Sequence, residues 1–174
     1  MTYFVLLITI YSIFMLAVLG PRRSGYSHVR HTISELGATG NSIGTIVSYG
    51  YFLPVGIGMT IIARCQPNDA VALLAGSLAV GYVGSAFFPI DDGAPLIGSW
   101  RNSMHSLVGA CQLGGSIIAF SGLGNEYGFP YNVFSGIIIT FVFVLYLPRV
   151  REIRGLHQRV MELGTFLALA LVVE

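Results

Sequence analysis

An all-α membrane protein, a bundle of six transmembrane helices, is the fold that this sequence predicts, and three observations predict it. The chain of 174 residues is 54% hydrophobic and only 10% charged, whereas water-soluble domains carry about 25% charged residues. Its mean hydropathy is +0.75. Six apolar stretches follow one another, each close to the ~20 residues that cross a bilayer as a helix. The arginines crowd into alternate connections between them. Those connections are short, so residues 1–174 read as a single six-span transmembrane domain.

The first stretch, residues 3–19, resembles a signal-peptide core. It lacks a basic start, and Gly20-Pro21-Arg22-Arg23 is not a small-residue cleavage site, so it is expected to stay as a helix. The second, 42–63, contains Pro54, which frees the carbonyl of Gly50 and should bend the helix. A bend there would open a lateral gap for an acyl chain. Gly50, Pro54 and Gly58 share one face, and Ser77, Gly81 and Ser85 repeat that spacing in the third stretch, 70–88. Stripes of small residues let membrane helices approach closely, and packing accounts for them. The fourth and fifth stretches are 103–123 and 131–147. The sixth, 156–173, carries Arg159 and Glu162 in its first half. Three residues apart, they either pair and hold the helix to the bundle or wall a polar pocket. The prolines other than Pro54 fall between spans, where a missing amide hydrogen does no harm in hydrocarbon.

Charge excludes several functions and orients the chain. Nine basic and eight acidic residues give +1, with no basic excess for nucleic acid. Every basic residue is arginine, so there is no lysine for a Schiff base or a P-loop. Cys65 and Cys111 are too few for a disulfide framework. Arg22, Arg23, Arg30, Arg101, Arg149, Arg151, Arg154 and Arg159 belong to the side reached after the odd-numbered spans, leaving Arg64 alone on the other. The positive-inside rule then puts that side in the cytoplasm and both termini outside. Membrane lipid is the expected partner.

The same side collects the groups capable of chemistry: all four histidines and five acids, Glu35, Asp91, Asp92, Glu152 and Glu162. Imidazole is the commonest metal ligand. His31, His105 and His157 come from different connections, and together they would hold zinc with one position left for water. Bound zinc lowers that water's pKa towards ~7. Asp91 or Asp92 would then act as general base, with Ser34 stabilising the oxyanion. A plainer account stands beside this one. Histidine and arginine are at home solvated at headgroup depth, and His28 reads that way. Asp91 and Asp92 equally serve to end the third helix. No HExxH occurs, and three scattered histidines form no motif.

The run His31-Thr32-Ile33-Ser34-Glu35-Leu36-Gly37, followed by Phe88-Pro89-Ile90-Asp91 and by His105 at the opening of the fourth helix, resembles a known family. These are uncharacterised six-helix prokaryotic membrane proteins, a domain of unknown function marked by an H-x-I-S-x-L-G segment. More distantly, the arrangement is similar to the membrane hydrolases that include alkaline ceramidases and adiponectin receptors. There a serine, an aspartate and three histidines build a zinc site near one membrane face and cut lipid amides. That resemblance implies Ser34, Asp91 and His105 as matches, with His31 and His157 as further ligands. The chain departs from it in having six spans, and no histidine pair four apart on the last helix. The expected function is a zinc-dependent hydrolase of a lipid amide or ester, working at the cytoplasmic face. The alternative is a lipid-binding, transport or accessory subunit that is not an enzyme. Spans one to five hold no acid or base in their middles, which counts against ion-coupled transport.

Overall fold

The computed structural model describes residues 1–146 and 152–173. Arg149 and Arg151, two of the arginines assigned above to the cytoplasmic side, lie outside the described residues. The described chain is helical, with no strand. Its long elements are α1 (Thr2–Leu19), α3 (Gly44–Cys65), α4 (Asp69–Phe87), α5 (Trp100–Tyr127), α6 (Tyr131–Tyr146) and α7 (Arg154–Val172). A single short turn, α2 (Ile33–Leu36), interrupts the first connection. The first four long helices are long and apolar enough to cross a membrane, the first extending through Arg22, and Tyr131–Val142 is a shorter apolar helix. The protein is therefore a multi-pass membrane protein. Helix α7 differs because Arg154, Arg159 and Glu162 occupy its first half.

Neighbouring helices pack in chain order, α3 on α4, α4 on α5, α5 on α6 and α6 on α7, and α1 closes the ring against α7 and α3. Helices α4 and α7 also touch across the middle. Small residues make this possible. A side chain at Gly56 would run into Val83, and one at Gly84 into Val108. One face of each outer helix stays apolar and exposed, as Leu7, Ile10 and Phe14 show on α1, which suits contact with lipid tails.

Pro54 acts as its chemistry dictates, one step upstream of itself. The turn Ser48–Phe52 widens to π geometry just before it, a common way to absorb a break in the hydrogen-bond ladder. The hydroxyl of Tyr11 on α1 donates to the Gly50 carbonyl that Pro54 leaves free. A cavity of about 390 Å³ takes Ser48 and Tyr49 of this turn into its lining. Another lies between α1 and α7, with Tyr51 as its one lining residue from α3.

The first connection is bound to the start of α7. Thr32 caps α2, its hydroxyl accepting from the Glu35 amide, while the Glu35 carboxylate accepts from the Thr32 amide at 2.7 Å. This is a reciprocal capping box. The other Glu35 oxygen takes Arg154 at 2.5 Å, with the two side chains 4% and 17% exposed. Arg159 donates to the carbonyls of His28 at 2.7 Å and His31 at 3.0 Å, and also to the Tyr26 hydroxyl. Gln158 accepts from the Ile33 amide at 2.8 Å, and the Leu156 amide donates to Val29 at 3.0 Å.

Gly155 is what lets the backbones meet. A Cβ there would strike the carbonyl oxygens of His31 and His28. Glycine to alanine normally stabilises a helix by about 1 kcal/mol. Here Gly155→Ala is expected to lower the melting temperature in detergent; a rise would show that the docking does not depend on this contact.

Candidate functional site

Two places at the arginine-rich end carry polar chemistry: a cavity between α1 and α7, and the junction of α2 with α5. The cavity measures about 290 Å³. Thr9, Ser12, Ile13, Leu16 and Ala17 form one wall, and Arg159, Glu162, Leu163 and Phe166 form the other. Tyr51 and Tyr82 close the inner side, with His28 and Ile33 at the connection. Ile13 and Leu163 are exposed on the outside of the bundle, so the cavity opens sideways between the two helices.

Glu162 is buried about 12 Å along α7 from Arg154, at 1.5 Å per residue. Tyr82, also buried, donates its hydroxyl to one carboxylate oxygen, and Gln158 donates to the other at 3.1 Å. A buried carboxyl needs such partners, because an unsatisfied one costs several kcal/mol in an apolar setting. The pairing of Glu162 with Arg159 read from their spacing is not what forms. Arg159 turns to the loop carbonyls, and its Nε is buried without a partner. Tyr26, Tyr82 and Gln158 escaped the sequence reading, and Glu35 entered it only as one of the acids on that side. The pattern Thr32-x-x-Glu35 was a legible cap signal, and Gln158 and Glu162 stand at helical i,i+4 spacing. Tyr82 carried no signal, since an aromatic in an apolar run reads as packing.

His28 lies in the first connection, and burial and the Arg159 guanidinium, in that order, hold its pKa below the usual range. It therefore faces the cavity as a neutral imidazole at pH 7.

At the second place, His105 on the first turns of α5 is buried. Its Nδ1 lies 2.9 Å from the Phe88 carbonyl and its Nε2 lies 2.9 Å from Ser34 Oγ. Asp91 is close in sequence to this junction, but its carboxylate takes the Ser99 amide at 2.6 Å and the Ser99 hydroxyl at 2.8 Å. Those bonds hold its pKa below the ordinary carboxylate range, which makes it a weaker base. Asp92 pairs with Arg23 at 2.7 Å and is largely exposed. The two aspartates thus brace the connection after α4, one internally and one to the first connection.

The three histidines expected to hold zinc do not converge. His31 accepts the Ser27 amide on Nδ1 at 2.9 Å. A neutral imidazole that accepts on one nitrogen carries its proton on the other, which leaves no lone pair for a metal. His157 lines a second cavity, between α6 and α7, and packs against Phe141. At about 100° per residue, it stands about 160° around α7 from Arg159 and about 140° from Glu162. Among the described residues, no group of three His, Cys, Asp or Glu is placed to hold a metal ion. So arranged, His31, His105 and His157 do not fit a zinc centre, and no step is routed through one.

A family model described as "Protein of unknown function (DUF998)" matches residues 5–173. No curated protein and no solved structure matches the chain.

The lowered pKa of His28 has a pH consequence. The folded state binds fewer protons there than the unfolded state, so stability falls as pH drops through the unfolded value of about 6.5. The melting temperature is expected to decline between pH 7 and 5.5, and less steeply in His28→Gln. An equal decline in the variant would remove His28 as its source.

Proposed function

The chain belongs to the DUF998 family, and within it we propose a membrane protein that binds one amphipathic lipid in the cavity between α1 and α7. The observation that carries this reading is the cavity itself. Its walls are apolar, a few polar groups gather at its inner end, and it opens sideways where lipid tails would lie. Sites for small apolar ligands have this make-up, with a few placed polar groups setting orientation. Its volume, about 290 Å³, holds part of a lipid, such as one chain or a headgroup fragment.

In this reading α6 and α7 complete six spans, α7 tolerating its charges because Arg154, Arg159 and Glu162 face protein. The arginine-rich end is cytoplasmic and both termini lie outside. The lipid enters between Ile13 and Leu163, with its polar end towards Glu162, Ser12 and Arg159. At this cavity lipid binding therefore takes precedence over a zinc-dependent hydrolase. The distant likeness to alkaline ceramidases asks for three converging histidines, and among the described residues no such group is placed together.

Native mass spectrometry of the detergent-solubilised protein, titrated with a dioleoyl phospholipid, tests the reading. One lipid per chain is expected to bind. Ser12→Phe, which fills the cavity, is expected to weaken retention about tenfold or more, as overfilling costs about 1–3 kcal/mol. Equal retention by the variant would place any bound lipid elsewhere.

A further inference from the structure

Ser34 and His105 stand 71 positions apart in the chain, yet Ser34 Oγ lies 2.9 Å from His105 Nε2. The other ring nitrogen settles the direction of that bond. A carbonyl oxygen only accepts, so Nδ1, 2.9 Å from the Phe88 carbonyl, must carry the proton. Nε2 then presents its lone pair, and the Ser34 hydroxyl donates to it. A hydroxyl bonded to an imidazole, whose far nitrogen is fixed by a third group, is the arrangement of an activated nucleophile. A backbone carbonyl often provides that third group.

Ser34 is the member of its turn that a substrate can reach. Ile33, Glu35 and Leu36 of α2 are buried, and Ser34 alone of the four is partly exposed. A polar cavity of about 390 Å³ is lined by the chain neighbours of the pair, though by neither Ser34 nor His105. Gly37, three residues beyond Ser34, lines it, as do Phe87 and Pro89 on either side of Phe88. So does Arg101, one turn before His105 on α5. The Arg101 guanidinium is exposed and rests over Trp100, 5.6 Å from the ring centre. Trp100 is itself exposed and packs on Phe88. A cation and an exposed aromatic surface thus stand on the turn of α5 that leads to His105.

We propose that Ser34 is a catalytic nucleophile with His105 as its general base, giving the protein a metal-independent acyl-transfer activity. The substrate class is an ester or thioester of an acyl chain whose other half is anionic, with Arg101 receiving the anion. In the first step the Ser34 Oγ–H proton passes to His105 Nε2 while Oγ bonds to the acyl carbon. The bond from that carbon to the leaving oxygen or sulfur breaks, and the leaving group takes the proton from Nε2. Water then attacks the acyl-serine, gives a proton to Nε2 and releases the carboxylic acid as Ser34 recovers its hydrogen. This activity uses a different part of the molecule from the α1–α7 cavity and stands without the lipid-binding reading.

An alkyl fluorophosphonate tests it on the full chain in detergent, since serine displaces fluoride from phosphorus by the same attack. The wild-type chain is expected to gain one adduct on Ser34, with EDTA making no difference. The adduct is expected to be absent from Ser34→Ala, and its rate to fall about 100-fold or more in His105→Gln. If those variants fail to fold, Ser34→Cys takes their place. Its new thiol is expected to react with iodoacetamide faster than Cys65 and Cys111, both exposed and free. An unlabelled wild type, an adduct that survives in Ser34→Ala, or loss of labelling with EDTA overturns the proposal. So does a thiol in Ser34→Cys that reacts no faster than the other two.

Discussion

The docking of the first connection onto the start of α7 is the constraint on which the arginine-rich end depends. Arg154 grips Glu35, and Arg159 gathers the carbonyls of His28 and His31. Between them Gly155 lets the two backbones touch. Each bond satisfies a group that burial would otherwise leave bare. The arginine carbonyl contacts use main-chain acceptors that no helix or sheet supplies in this irregular segment. Buried irregular backbone persists only where such partners satisfy it.

Both candidate sites follow from that docking. It holds His28 and Ile33 at the connection end of the α1–α7 cavity, and it sets α2 so that Ser34 reaches His105. Glu162 is placed by the same helix, one turn below Gln158, and its polar partners make a buried carboxyl tolerable. The cavity and the serine–histidine pair are therefore neighbours on one scaffold. They remain separate in place: the first lies at the seam of α1 and α7, the second between α2 and the first turns of α5.

Much of the fold was legible because hydropathy acts over whole helices. Apolar runs mark the long elements within a few residues, α5 extending beyond its apolar stretch at both ends. Pro54 announced a disturbed turn through chemistry that needs no neighbours, although the partner of the freed carbonyl, Tyr11, lies on another helix. The site was less legible because side-chain direction decides it. His157 and Arg159 sit two residues apart, yet the helical repeat sends them to opposite faces of α7. Grouping histidines by membrane side ignored that rotation. The motif from His31 to Gly37 looked like ligands and catalytic groups. Most of its residues instead cap, pair or pack, and Ser34 alone points its polar atom at another candidate side chain.

The most direct test of the docking is a double-mutant cycle between Glu35 and Arg154, followed by unfolding in mixed micelles. Removing one partner of a buried pair costs about 3–5 kcal/mol, because the other charge is stranded. Glu35→Gln and Arg154→Met should each destabilise by about that much, and the double variant by little more than either one. Losses that simply add, or single variants as stable as the parent, would contradict the account.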